Sequence, residues 1–176
     1  MKNSKDLSIV FYVRNEEDII ETNLDKIIKE VENLTDNYEI IVVNTPADDN
    51  SWFVIKEYAA NKSKVIPLNI NNIHGDSLQK GYQMLIGAKV ACGEKIIFTD
   101  SDQVNPKNFE ILLKKLDEGV DVVVGWRKNR QGKHGIFYNL TSWGQNKLTQ
   151  ALTGLSVHDK NSGLKAFNKR AAKSMV

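Results

Sequence analysis

Apolar runs of strand length, alternating with amphipathic helical segments, predict an α/β fold: a Rossmann-like, mostly parallel central sheet with helices on both faces. Three observations carry this. LSIVFYV (7–13), YEIIVV (38–43) and EKIIFTD (94–100) hold near-continuous apolar stretches, as strands covered on both faces require. The segments between strands repeat apolar residues at helical spacing. The strands also stop abruptly at polar residues, most sharply at Asp100 and Asp102, and open α/β sheets place their ligands at such carboxyl ends.

The elements follow in order. After the first strand, Asn15 is placed to cap a helix whose first turn carries Glu16, Glu17 and Asp18, where the helix dipole favours negative charge. Ile19, Ile20, Leu24, Ile27, Ile28, Val31 and Leu34 give that helix its apolar face. The second strand leads through NTPADDNS into a helix bearing Trp52, Phe53, Ile55 and Tyr58, and VIPL (65–68) is a third strand. A helix from about Asp76 to Ala91 precedes the fourth strand and takes in the region of Cys92. Pro106 occupies a first helical position ahead of Phe109, Leu112, Leu113 and Leu116, Gly119 ends that helix, and VDVVVG (120–125) is a fifth strand. Beyond it, 126–135 is a basic loop carrying Arg127, Lys128, Arg130 and Lys133, followed by a helix with Phe137, Leu140, Trp143, Leu148 and Leu152. A short strand or turn closes the chain near Phe167. Gly75, Gly81, Gly87 and Gly93 recur at a spacing that matches no helical period.

Composition narrows the function. A chain of 176 residues with 41% hydrophobic and 26% charged residues suits a single domain, 1–176, with its own core. A net charge of +2 gives no electrostatic case for nucleic acid. The lone Cys92 cannot form an internal disulfide, which points to a reducing, cytoplasmic setting. The amino-terminal segment lacks the pattern of a signal peptide. Lys-Ser-Met-Val at the end reads as the first turns of a helix without a cap, predicting a truncated carboxyl terminus.

Gathering the strand ends brings together Arg14, Asn15 and Glu16; Asn44, Thr45, Asp48 and Asp49; Asp100 and Asp102; and Arg127 with Arg130. Carboxylates for a hard divalent cation and guanidinium groups for phosphate oxygens suit a ligand carrying a diphosphate. His74, His134 and His158 are dispersed and lack metal-ligand spacing.

Six segments in succession then give a specific resemblance: SIVFYVRNEED, EIIVVN with DDNS, HGDSLQKGY, IIFTDSDQVNP, DVVVGWRKNR and LTGLSVHDKNSGLKAF. Together they resemble the family-two glycosyltransferases of GT-A fold, most of all the branch that includes dolichyl-phosphate mannose synthase and related polyprenyl-phosphate sugar transferases. The resemblance implies a metal-dependent, inverting transfer of a sugar from a UDP- or GDP-linked nucleotide-sugar to a polyprenyl phosphate or a glycan. It implies Mg²⁺ or Mn²⁺ as cofactor and work at the cytoplasmic face of a membrane, with peripheral association. By position, Glu16 and Asp49 match acids around the nucleotide, and Asp100 and Asp102 the Asp-x-Asp motif. Asp102 would ligate the metal, Asp100 would support it beside the ribose, and Gln103 stands next to the usual position of a further ligand. Arg127 and Arg130 match the loop that grips the phosphates. Asp159, ahead of Ser162-Gly163, matches an acceptor-side acid, a general base for a hydroxyl acceptor or an orienting group for a phosphate.

Four departures matter. Tyr12 and Arg14 stand where the family has a proline and an aromatic residue, and Asn44-Thr45-Pro46-Ala47 replaces an Asp-Asp-Gly-Ser loop. Thr45 thus sits where an acid reads the nucleobase, and Val104 where a glutamine follows the metal-binding acid. Two alternatives stay open. One is a degenerate nucleotide-binding or scaffold domain, with Trp126, Phe137, Leu140 and Trp143 as a contact face. The other is a phosphatase of the haloacid-dehalogenase type with Asp100 as nucleophile, which would need an acidic pair after a later strand. Asp117, Glu118 and Asp121 precede the fifth strand instead.

Overall fold

The fold is described from a computed structural model, for residues 4–45, 48–70, 79–101, 104–125 and 162–176. The chain divides into two compact units, residues 1–123 with 163–176, and residues 124–162. The described residues lie almost wholly in the first. Its elements are β1 (Lys5–Val13), α1 (Ile20–Glu32), β2 (Tyr38–Asn44), α2 (Ser51–Ala60), β3 (Val65–Asn69), α3 (Gln79–Val90) and β4 (Gly93–Asp100). A 3-10 turn (Pro106–Asn108), α4 (Phe109–Asp117), β5 (Val122–Val124), β6 (Lys165–Asn168) and α5 (Lys169–Lys173) follow.

The sheet has the order β3-β2-β1-β4-β6-β5. β1 is parallel to β2 and to β4, and β2 is parallel to β3. From β1 the chain winds outward through β2 and β3, then returns to place β4 on the other side of β1. That reversal is the switch point at which the flanking loops diverge and leave a crevice at the strands' carboxyl ends. Tyr12 of β1 lies opposite Asp100 of β4 at this point.

Alternation along the strands assigns each side chain to a face. Leu7, Ile9, Phe11 and Val13 of β1 point to the layer of α1, α2 and α4, where Ile20, Leu24, Ile27, Val31, Ile55, Phe109 and Leu112 are buried. Val10 and Tyr12, with Ile41, Val43, Ile96 and Phe98, face the layer of α3 and α5. Burying each large aliphatic side chain stabilises the fold by roughly 1.5–3 kcal/mol. Phe98 and Phe167 meet edge to face with ring centroids 5.2 Å apart.

The amino ends of the strands are locked by a buried carboxylate. Glu39 Oε1 accepts from Ser8 Oγ at 2.7 Å and from the backbone N–H of Cys92 at 2.6 Å. Ser8 Oγ accepts in turn from the N–H of Gly93 at 2.8 Å. Three strands and the turn after α3 are joined by this one network.

Several expectations need correction. Helix α1 begins at Ile20, not at Asn15; its N-cap, Ile19, makes no side-chain cap bond. Asn15 instead adopts a left-handed backbone, φ 53°, a conformation asparagine tolerates better than most residues. Cys92 lies in the turn after α3 rather than within a helix. The fifth strand is only three residues long, and β6 enters the sheet antiparallel to β4. Gly87 and Gly93 have packing reasons: a Cβ at Gly87 would overlap Val10, and one at Gly93 would come within 2.6 Å of the Ser8 nitrogen.

Candidate active site

The loops after β1 and β2 are sewn together before either can reach a ligand. Asn15 Oδ1 accepts from the N–H of Asp48 at 3.0 Å, and Ser51 Oγ from the N–H of Glu16 at 3.0 Å. Asp49 Oδ2 accepts from the N–H of Glu17 at 3.1 Å and from Ser51 Oγ at 2.7 Å, and Oδ1 from the N–H of Ser51 at 3.0 Å. Glu17 Oε2 accepts from the N–H of Asn50 at 2.6 Å. Burial pushes the Asp49 carboxyl up, but these hydrogen bonds outweigh it and hold it below the usual carboxylate range. Asp49 therefore spends both oxygens on loop shape. Glu16 is carried beside it, half-buried, by the same stitching.

A buried amide braces the strand ends from the other layer. Gln83 of α3 donates through Nε2 to the carbonyls of Val13 at 3.3 Å and Val43 at 3.1 Å, with Thr45 Oγ1 at 3.4 Å. Thr45 is fully buried, so its hydroxyl faces this brace instead of the crevice. Next to it, Asn44 Nδ2 donates to Asn69 Oδ1 at 2.9 Å.

Asp100 is the centre of the described site. Its Oδ2 pairs with Lys80 Nζ at 2.5 Å, and its Oδ1 is buried without a hydrogen-bond partner. The Lys80 ammonium also lies 5.1 Å from the centroid of the Tyr12 ring, a cation–π distance. The Tyr12 hydroxyl donates to the carbonyl of Gly163 at 2.8 Å. A Cβ on Gly163 would overlap both the Oδ2 and the Cγ of Asp100, so only glycine lets the chain pass against the carboxylate. Asn23 of α1 fixes the following turn by donating to the Ser101 carbonyl at 2.8 Å.

This carboxylate fits a cation. A buried acid oxygen without a donor carries an uncompensated desolvation cost, and hard divalent cations prefer oxygen ligands. Among the described residues no three metal-binding side chains cluster. Asp102 and Gln103, expected as ligands, lie outside the described residues, as do Arg127, Arg130 and Asp159. Of the residues expected from the sequence, Glu16 and Asp49 lie in two loops that are joined to each other, and Asp100 ends the strand beside β1. Lys80 and Gln83 were not singled out there, and Tyr12 only as a departure from the family pattern. A polar residue inside the apolar face of α3 was the available signal for Gln83; Lys80 gave none, since its partner is 20 residues away.

A separate cavity of about 190 Å³ opens by the amino ends of β2 and β3, lined by residues that include Glu32, Tyr38, Lys62 and Lys64. There burial, and then the hydrogen bond to Glu32, push the Tyr38 hydroxyl up to about 12.

Comparison with known proteins identifies a family and a fold. The sequence pattern described as Glycosyl transferase family 2 matches residues 8–176. An undecaprenyl-phosphate 4-deoxy-4-formamido-L-arabinose transferase of Aeromonas hydrophila is 29% identical over 172 residues, covering 97% of this chain and 51% of that protein. The chain therefore spans about half the length of this relative. Among solved structures, glucosyl-3-phosphoglycerate synthase from Mycobacterium tuberculosis, in complex with Mn²⁺, UDP-glucose and phosphoglyceric acid, superposes with a TM-score of 0.68 at 20% identity. That match covers 96% of this chain and 58% of the other. A mannosyltransferase from Pyrobaculum calidifontis, in complex with GDP-mannose and Mn²⁺, gives 0.67 at 19% identity, covering 99% and 47%. The fold is that of these GT-A proteins.

Proposed function

The chain belongs to glycosyl transferase family 2, and on that premise we propose that it transfers a sugar from a UDP- or GDP-linked donor to a lipid-phosphate acceptor of the polyprenyl type. The observation that carries this reading is Asp100: a carboxylate at the switch point of the sheet, with one buried oxygen lacking a donor and a glycine backbone packed against the other. The kinship with an undecaprenyl-phosphate sugar transferase supports the acceptor class. Membership of this family also displaces the phosphatase alternative.

In the proposed mechanism the acceptor oxygen bonds to the anomeric carbon as the bond from that carbon to the diphosphate breaks. The nucleoside diphosphate leaves with the electron pair, and the configuration inverts. Asp100, Asp102 and Gln103 would hold Mg²⁺ or Mn²⁺, which when bound neutralises charge on the departing diphosphate. Glu16 and the Asp49-shaped loop hold the nucleoside side of the donor. Arg127 and Arg130 bind phosphate oxygens. A phosphate acceptor is already ionised, so Asp159 orients it; with a hydroxyl acceptor, Asp159 would take the proton. No helix among the described residues is long and apolar enough to cross a membrane. A lipid acceptor would place the reaction at the cytoplasmic face of a membrane, with peripheral association as the expected mode.

The test is a thermal-shift screen of nucleotide-sugars with Mn²⁺, followed by transfer to polyprenyl phosphate in detergent. The expected result is a donor-dependent rise in melting temperature that EDTA removes, and a product of inverted anomeric configuration. Transfer that persists undiminished in EDTA and in Asp102→Asn would overturn the metal-dependent mechanism. One observation favours a second reading, a nucleotide-binding or scaffold domain without catalysis: Thr45 supplies no acid and is turned inward. Calorimetric titration with UDP and GDP, with and without Mn²⁺, identifies a scaffold, which would bind neither, and the transfer assay identifies a nucleotide-binding domain, which would bind without transferring.

A further inference from the structure

We propose that Lys80 is a built-in counter-ion that occupies Asp100 until metal and diphosphate arrive together, making cation binding conditional on the nucleotide. The inference rests on the metal-dependent reading above and assigns a role to a residue to which the resemblance gave none.

Four features of the site lead to it. Lys80 Nζ sits 2.5 Å from Asp100 Oδ2, on the carboxylate that faces the crevice. The two side chains differ in freedom: that of Lys80 is 46% exposed on a flexible stem, whereas that of Asp100 is 17% exposed. Asp100 also lies against the Gly163 backbone, so close that a Cβ added there would overlap its Oδ2. Finally, the ammonium has a second resting place, the face of Tyr12, whose own hydroxyl is tied to the Gly163 carbonyl. A fixed acid and a movable cation, with a ring to retain the cation nearby, make an exchangeable pair.

A divalent cation and an ammonium cannot both sit on this carboxylate without strong repulsion, because their charges would lie only a few ångströms apart. Metal arriving alone must expel Lys80 and leave the ammonium with the Tyr12 ring as its sole compensation. Metal arriving with a nucleoside diphosphate expels the same ammonium into reach of phosphate oxygens, which replace the lost partner. Each ligand therefore favours the other, and by linkage the coupling is equal in both directions. Lys80 is a positioning residue in this scheme: it bonds to no reacting atom.

The test is a Mn²⁺ titration, followed by the electron paramagnetic resonance signal of free Mn²⁺, on the wild-type chain, Lys80→Met, Lys80→Arg and Asp100→Asn. Each is measured without nucleotide and with saturating UDP or GDP. Lys80→Met keeps the stem and removes the charge. It should bind Mn²⁺ alone about fivefold tighter than wild type and lose most of the gain that nucleotide confers. Lys80→Arg should resemble wild type, and urea midpoints should show all variants folded. Unchanged or weaker Mn²⁺ binding by Lys80→Met, with binding abolished in Asp100→Asn, would overturn the role of Lys80 and leave the metal reading standing. A wild-type chain that binds no Mn²⁺ even with UDP or GDP would overturn the metal reading and this proposal with it.

Discussion

Glu39 and Asp100 are carboxylates at opposite ends of one sheet, and their surroundings could hardly differ more. Glu39 is buried at the amino ends, and its Oε1 takes hydrogen bonds from a serine hydroxyl and a backbone N–H. Asp100 stands at the carboxyl ends with one oxygen on a half-exposed lysine and the other on nothing. Satisfied polar groups fix a structure; an unsatisfied one signals a site kept ready for a ligand. The same sheet thus carries a structural acid at the amino end of β2 and, in the proposed reading, a ligand-binding one at the carboxyl end of β4.

The contrast can be broken by experiment. Asp100→Asn should lower transfer at least about 100-fold, the scale of losing one electrostatic contact to a charge that develops in the transition state. Its urea midpoint should stay near wild type, because the carboxylate contributes little to the fold; a large stability loss would erase the distinction. Glu39→Ala should do the opposite. Stranding the Ser8 hydroxyl and the Cys92 N–H should cost roughly 2–4 kcal/mol in denaturant unfolding, with nucleotide affinity retained in the folded fraction.

Gly163→Ala probes the wall of the upper site. The added methyl must displace the Asp100 carboxylate or shift the backbone, so Mn²⁺ binding should weaken, with a stability loss of roughly 1–3 kcal/mol. Asn168→Ala, away from both acids, serves as the control. It removes the cap that accepts from the Ala171 N–H at 2.8 Å and should cost about 1 kcal/mol without touching ligand binding. The smallest effect is a pH dependence. The folded Asp49 carboxyl titrates below its ordinary 3.8, so its stabilising share is present above that value and is lost as pH falls through the lowered one. Ser51→Ala removes the main donors' hydroxyl and should flatten that acid limb in pH-dependent unfolding.

How much of this was legible in the sequence follows from the distances over which residues act. The central strands were readable because layers on both faces demand continuous apolar runs, and α1 was readable from Ile20, Leu24, Ile27 and Val31. Its start was misplaced because the Asn15 side chain, in place of capping, turns to a loop 33 residues on. Asp100 was conspicuous because it is a carboxylate ending a buried strand. Gln83 and Lys80 were not, since the carbonyls and acid they meet belong to other strands and no local pattern encodes that meeting. The antiparallel entry of β6 was likewise hidden: KAFN is too short for its alternation to set a direction.

That last strand has a consequence for synthesis. β6 is made some forty residues after β5, yet it lies between β4 and β5 and brings Gly163 to Asp100. A chain emerging from the ribosome can wind β1 to β4 early, but the flank of β4 stays bare until the later segment is delivered. An exposed strand flank invites pairing with other chains, so slowed translation across the 124–162 stretch should raise aggregation of the nascent protein.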